Sequence, residues 1–256
     1  MKEKVVFFDI DGTLVNEEKE LLHNTKEAIY RLRDKGVYLV LATGRPPFWY
    51  EELRDELSIN SYISYNGQHI VFEGEIIYEN PINRNSLSKL YKDMLKYDIP
   101  MAFLDDEEMV VTRDNHPFIQ KCFINLLHEY PRISDDFHKK RKIFQALLFT
   151  ENSLDPSLFE KYSMFNFLRW HKYSYDLLPR GSSKARGMKK VVEALGKDVV
   201  TYAFGDGAND YEMILEADFG IAMGNGLKMI KKIADYVTAD VNEDGVGKAL
   251  KHFGLI

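Results

Sequence analysis

Val5-Val6-Phe7-Phe8-Asp9-Ile10-Asp11-Gly12-Thr13-Leu14 decides the fold: four apolar residues run without interruption into two aspartates and a glycine. An apolar run with no polar alternation has no solvated face, and such a strand belongs in a parallel sheet covered on both sides. The same pattern recurs outward from it. Asn24 precedes a helical spacing that puts Ala28, Ile29 and Leu32 on one face. Glu27 stands three residues after Asn24, as in a capping box, and Gly36 can end the helix. Residues 37–42 are a second apolar run, and a helix near 47–57 and a strand over 62–65 continue the rhythm.

The rhythm then changes. Residues 68–72 and 75–78 flank Glu73-Gly74 and read as a hairpin. From 82 to 182, helices over 84–97 and 115–130 mix with strands over 100–105, 108–112, 143–149, 164–171 and 174–178. Several of these strands are consecutive, which suggests an α+β unit. After Gly181 the first rhythm returns, with a helix (183–195), a strand (199–204), a helix (209–217), a strand (219–222), a helix (225–234), a strand (236–238) and a closing helix. The expected architecture is α/β: a doubly wound, Rossmann-like parallel sheet core from residues 1–81 and 183–256, split by an inserted α+β domain over 82–182. The linkers fall near Asn80-Pro81 and Arg180-Gly181, and Ser182 and Ser183 after the second suit a hinge.

Composition agrees with a folded, reducing-compartment protein. The 256 residues are 45% hydrophobic and include 16 Phe, 15 Tyr and 2 Trp, enough for one large core or two smaller ones. A net charge of −6, mixed along the chain, argues against nucleic-acid binding. The run His138-Lys139-Lys140-Arg141-Lys142 is the exception, and such runs are usually solvated loops. Cys122, the single cysteine, excludes an intrachain disulfide; among Phe118, Ile119, Phe123 and Leu126 it reads as a buried helical position. The N-terminus enters a strand directly with no signal-peptide pattern, and no apolar run reaches membrane-spanning length, so a cytoplasmic protein without a membrane partner is expected.

In a doubly wound sheet, ligands bind beyond the carboxyl ends of the strands. Four sequence-distant groups meet there: Asp9-Ile10-Asp11-Gly12-Thr13, Thr43-Gly44-Arg45, Lys184, and Gly205-Asp206-Gly207-Ala208-Asn209-Asp210. Asp9, Asp11, Asp206 and Asp210 would crowd negative charge into one crevice, raising one another's pKa. A hard divalent cation relieves that repulsion, and an all-oxygen set of carboxylates suits Mg2+. A phosphate could then enter, its oxygens held by the Thr43 hydroxyl, backbone N–H groups near Gly12 and Gly44, and Lys184. Asp9 is placed to attack phosphorus, and Asp11, on the same side of an extended chain, to exchange a proton with the leaving oxygen. Gly12 permits a tight turn, and Thr13 can fix Asp11 or the next turn by a hydrogen bond. Each stretch alone has an ordinary structural explanation; four of them at successive strand or helix ends do not.

These residues resemble the four motifs of the haloacid dehalogenase superfamily. Residues 7–14 look like the first motif, residues 42–46 the second, Lys184 the third and residues 205–210 the fourth. The resemblance implies a nucleophile at Asp9, an acid/base at Asp11 and phosphate binding at Thr43, Gly44, Lys184 and Asn209. It implies Mg2+ held by Asp9, the backbone carbonyl of Asp11, Asp206 and Asp210. Ser64-Tyr65-Asn66-Gly67 before a hairpin, and residues 205–213, are similar to the Cof-like branch, whose members carry a large α+β cap. That branch implies a phosphohydrolase acting on a small phosphorylated metabolite such as a phosphosugar, pyridoxal phosphate or flavin mononucleotide. Asp11 argues against dehalogenation, whose enzymes lack it. A phosphomutase, a non-catalytic phosphometabolite-binding regulator and a receiver-type signalling module share parts of this chemistry. Arg45 is the candidate for substrate contact, though phosphate or a core carboxylate would also satisfy it. Arg169, Trp170, His171, Tyr173 and Tyr175 are candidates for reading the leaving group, with plain sheet packing as the alternative.

Overall fold

The computed structural model describes residues 2–123 and 130–256. In chain order its elements are β1 (Glu3–Phe8), α1 (His23–Asp34), β2 (Tyr38–Ala42), a 3-10 turn at Pro47–Trp49, α2 (Glu51–Leu57), β3 (Tyr62–Ser64), β4 (His69–Phe72) and β5 (Glu75–Glu79). There follow α3 (Arg84–Lys96), β6 (Met101–Leu104), β7 (Met109–Val111), α4 (Pro117–Phe123), α5 (Phe137–Lys140), β8 (Gln145–Phe149), α6 (Pro156–Lys161), β9 (Phe165–His171) and β10 (Ser174–Pro179). The last stretch is α7 (Lys184–Leu195), β11 (Val199–Gly205), a 3-10 turn at Ala208–Asp210, α8 (Tyr211–Glu216), β12 (Phe219–Ala222), α9 (Lys228–Ile233), β13 (Tyr236–Val237), a 3-10 turn at Val241–Glu243 and α10 (Gly245–His252). These fall into two compact units: Met1–Arg45, Tyr50–Glu79 and Ser183–Ile256 form one, Pro46–Trp49 and Asn80–Ser182 the other. No helix of the described residues is long and apolar enough to cross a membrane.

The first unit is an α/β layer structure. Its sheet runs β13-β12-β11-β1-β2-β3-β4-β5, parallel from β13 to β3 and antiparallel through the β4–β5 hairpin. Alternation along the strands sends side chains to two separate cores. Val6, Phe8 and Leu41 pack with Ile29 and Leu32 of α1 and Leu250 of α10 on one face. Val5, Phe7 and Val40 pack with Met188 and Val191 of α7 on the other. Val5, Val6, Phe7 and Phe8 are fully buried, as a strand without a solvated face must be. From β1 the chain builds outward through β2 and β3, and later returns to the other side of β1 as β11. The switch point therefore lies between the carboxyl ends of β1 and β11.

Local departures have local causes. α1 begins at His23, with Leu22 as its N-cap and no side-chain cap bond, so Asn24 lies inside the helix and the capping box does not form. The span expected as one helix over 47–57 splits into a 3-10 turn and α2, with Tyr50 between them in a non-helical conformation. The hairpin turns through Glu73 (φ 51°) and Gly74 (φ 84°), two left-handed residues whose twist matches the paired strands.

The second unit is an antiparallel sheet, β7-β6-β8-β10-β9. Met101, Phe103, Ala146, Leu148, Tyr175 and Leu177 of that sheet pack with Leu87, Leu90 and Met94 of α3 and Phe137 of α5. The basic run 138–142 is solvated at Lys139, Lys140 and Lys142, but it begins inside α5, and His138 is buried against Tyr91 and Phe103, ring centroids 5.2 and 4.8 Å away. A histidine is aromatic and largely apolar when neutral, which a charge count does not register. Of the helix expected over 115–130, Pro117–Phe123 is helical and 124–129 lie outside the described residues. Cys122 is buried in α4, its Sγ 3.2 Å from His171 Nδ1, and burial pushes its thiol up to about 12. Tyr175 is buried under the Arg169 guanidinium, whereas Trp170 on edge strand β9 is exposed.

Candidate active site

Asp9 is the first residue beyond β1, and its N–H donates to the Phe204 carbonyl of β11 (3.0 Å), which pins it at the switch point. Lys184, the first residue of α7, is fully buried and reaches both Asp9 Oδ1 (2.5 Å) and Asp210 Oδ1 (2.6 Å). The other oxygen of Asp210 accepts the N–H groups of Asp206 (3.0 Å) and Gly207 (2.9 Å), folding that loop onto its own base. Asp9, Asp206 and Asp210 each offer one oxygen, all within 4.8 Å of one another. Burial, then the neighbouring Asp210 charge, push the Asp9 carboxyl well above its ordinary range, against the pull of Lys184. The same two causes push Asp206 up to about 6. Burial alone would lower the Lys184 ammonium, but Asp210 and Asp9 outweigh it and raise it.

Gly12 lies close under this cluster. Its φ is +76°, and a Cβ there would sit 2.4 Å from Asp206 Oδ2, so the position has room for glycine alone. The turn it makes is held by backbone bonds: the N–H groups of Thr13, Leu14 and Val15 all donate to the Ile10 carbonyl, and Gly12 N–H donates to Val15. The Thr13 hydroxyl is buried with no hydrogen-bond partner among the described residues, so the expected side-chain bond to Asp11 or the next turn is not made.

The Asp11 carboxylate turns away from the acidic trio. Arg45 Nε donates to its Oδ2 (2.7 Å) and Arg45 Nη2 to its Oδ1 (2.5 Å), and Lys19 Nζ donates to Oδ1 (2.7 Å). Partial burial pushes Asp11 up, but the bonds and charge of Arg45 and Lys19 win and hold it below its ordinary range. Arg45, open to three partners on sequence grounds, is here paired with a carboxylate.

Thr43 follows β2, is buried, and accepts the Arg45 N–H at its hydroxyl (3.1 Å). Its carbonyl accepts the N–H of Asn66 (3.0 Å), and Asn66 Oδ1 accepts from Asn209 Nδ2 (3.1 Å). A Cβ on Gly44 would come within 3.1 Å of the same Asn66 amide, so Asn66 links the Thr43–Gly44 loop to the loop of Asn209. Tyr65, Asn66 and Gly67 all have positive φ, which is why the strand stops at Ser64. Asn225 is a further member: its Nδ2 donates to the Gly12 carbonyl (2.8 Å) and its Oδ1 accepts the Val241 N–H (2.9 Å). It lies three residues past β12, so the strand-end rule extended by one strand finds it. Nothing in the spacing signals Lys19.

Comparisons with known proteins follow the same lines. A family model described as haloacid dehalogenase-like hydrolase matches residues 6–250. YkrA of Bacillus subtilis (strain 168) is 40% identical over 257 residues, covering 100% of both chains. A solved protein of Geobacillus kaustophilus HTA426 aligns with a TM-score of 0.95 and 42% identity, over 99% of this chain and 100% of its own. The HAD subclass IIB sugar phosphatase BT4131 aligns with a TM-score of 0.82 and 31% identity, over 99% of this chain and 100% of its own.

Proposed function

The chain belongs to the haloacid dehalogenase-like hydrolase family, in its Cof-like branch, and is a phosphatase; on that footing we propose that it cleaves small phosphorylated metabolites, sugar phosphates among them, through an aspartyl-phosphate on Asp9. The observation that carries this reading is a buried carboxylate at the switch point, in contact with a buried lysine and flanked by two further carboxylates.

The residues divide the work as follows. An Asp9 oxygen attacks phosphorus as the bond to the leaving oxygen breaks, and Asp11 gives that oxygen its proton. Water then attacks phosphorus, gives a proton to Asp11, and the Asp9 carboxylate is restored. Lys184, the Thr43 hydroxyl, the backbone at Gly44 and the Asn209 amide hold the phosphoryl oxygens. Asp206 and Asp9, with the Asp11 carbonyl and Asp210, fit a hard divalent cation: the donors are all oxygen and carry more negative charge than Lys184 offsets. Mg2+ bound there would supply charge neutralisation at the phosphate. Asp210 spends its oxygens on Lys184 and two N–H groups, so holding that set in place is part of its role.

We assign residues 82–182 the role of a cap that selects the leaving group, and a cytoplasmic site of action. The sugar-phosphatase character of BT4131 supports the substrate class. Acid quench during turnover of a phosphometabolite panel, followed by borohydride reduction, should mark Asp9. A mark on Asp11 or Asp206, or none, would overturn the covalent assignment. Turnover of no sugar phosphate in the panel would overturn the substrate class.

A further inference from the structure

Lys19 stands in a turn that is built to aim it. Its φ is +65°, a left-handed conformation that glycine or asparagine adopts far more readily than lysine. The turn is fixed from several sides. Asn16 N–H donates to the Glu20 carbonyl (3.1 Å), Lys19 N–H to the Asn16 carbonyl (3.0 Å), and Glu20 N–H to Asn16 Oδ1 (2.9 Å). Asn16, itself buried, anchors the turn to a distant loop through Asn242 Oδ1 (3.0 Å). Glu17, Glu18 and Glu20 surround Lys19 in sequence, yet its ion pair is with Asp11. An ion pair this exposed adds little to stability, so strain retained on its behalf has its explanation in function.

We propose that Lys19 is a positioning residue for the phosphatase reaction: it holds Asp11 Oδ1 throughout the cycle, so that Oδ2 is the oxygen that exchanges the proton. Two cations share Asp11, and they are not equivalent. Arg45 belongs to the loop of Thr43 and Gly44, and its Nε occupies Oδ2, the oxygen that must be free for proton transfer. Arg45 grips both oxygens as a fork, Nε on Oδ2 and Nη2 on Oδ1, so freeing Oδ2 when substrate binds breaks that fork. Lys19, bonded to Oδ1 only, is the cation left to keep the carboxyl from rotating. The inference rests on Asp11 acting as the acid.

Proton donation matters most when the leaving alkoxide is basic. The test compares kcat/KM, which ends at leaving-group departure, for p-nitrophenyl, phenyl and benzyl phosphate. Lys19→Met should lose about tenfold on benzyl phosphate and less than about twofold on p-nitrophenyl phosphate, and Lys19→Arg should recover most of the benzyl loss. Lys19→Gly relieves the strained φ: it should melt higher than wild type yet show the same loss on benzyl phosphate. An equal loss on all three esters, or no loss on any, would overturn the proposal. Asp11→Asn run in parallel separates the two readings. If it shows the steep leaving-group dependence and Lys19→Met does not, only the role of Lys19 falls; if Asp11→Asn is itself flat, the assignment of Asp11 as acid falls.

Discussion

Lys184 shows how much a single residue can be asked to do. It is fully buried and bridges Asp9 and Asp210, two carboxylates that would otherwise face each other with no counter-charge. Removing one member of a buried ionic group leaves the others desolvated and unpaired, at a cost of about 3–5 kcal/mol. Lys184→Met should therefore lower the melting temperature of the unit that contains it, and, on the proposed mechanism, in which a phosphoryl oxygen loses its cation, cut turnover by roughly a thousandfold. Thermal melts and steady-state rates check both; a variant with wild-type stability would mean that the two carboxylates are already neutral without the lysine. At this scale the sequence was legible where chemistry is fixed by position along a strand. Asp9, Thr43 and Asp206 each follow a strand end, and the sheet order brings those ends together. It was illegible where side-chain direction decides. The pairing of Asp11 with Lys19 comes from the left-handed turn at residue 19, and no spacing rule predicts a lysine there.

Elements were legible in proportion to how much their own sequence controls them. β1, β2 and β11 are dictated by apolar runs that only a doubly covered sheet can bury, and all three form. α5 and α6 of the second unit were missed: they hold four and six residues, too few to show a period, and no alternation with parallel strands marks their place as it does for the equally short α8 and α9. β10 carries the clearest consequence at this scale. Tyr175 and Leu177 face the α3 side of the sheet, and Asp176 between them points to the other face. Burial pushes its carboxyl up to about 7, with Gln145 pulling weakly the other way. Between the ordinary 3.8 and about 7 the folded chain holds a proton that the unfolded chain has lost. Stability therefore falls as pH rises through that window. Asp176→Asn should flatten this fall and be more stable than wild type at pH 8 by on the order of 2 kcal/mol. Urea unfolding of both chains from about pH 4 to 8 measures it; parallel curves would show that the carboxyl is ionised in the fold.

For the whole chain the proposed cation site predicts a metal effect confined to one unit. Each unit has a core of its own, with clusters on both faces of the parallel sheet in the first and one against α3 in the second. The acidic trio lies entirely in the first unit, and its members come from opposite ends of the chain: Asp9 follows β1, while Asp206 and Asp210 follow β11. A cation held by all of them ties two strand ends that are remote in sequence. Whatever binds the folded form and not the unfolded one stabilises it by RT ln(1 + [L]/Kd), about 2.7 kcal/mol at a hundredfold excess over Kd. Adding Mg2+ to the chelated chain should therefore raise the calorimetric transition of the first unit and leave that of the second where it was. Chelation should abolish p-nitrophenyl phosphate hydrolysis and Mg2+ should restore it, whereas Ca2+, with its larger and looser shell, should bind and inhibit. Asp206→Asn should lose the Mg2+-induced shift while keeping its fold, since Asp206 makes no ion pair among the described residues and its removal relieves the crowding around Asp9. Ligands must be deprotonated to bind, so the shift should shrink as pH falls. Full activity after exhaustive chelation, or an equal rise of both transitions, would mean that the cation these carboxylates fit is not what organises the site.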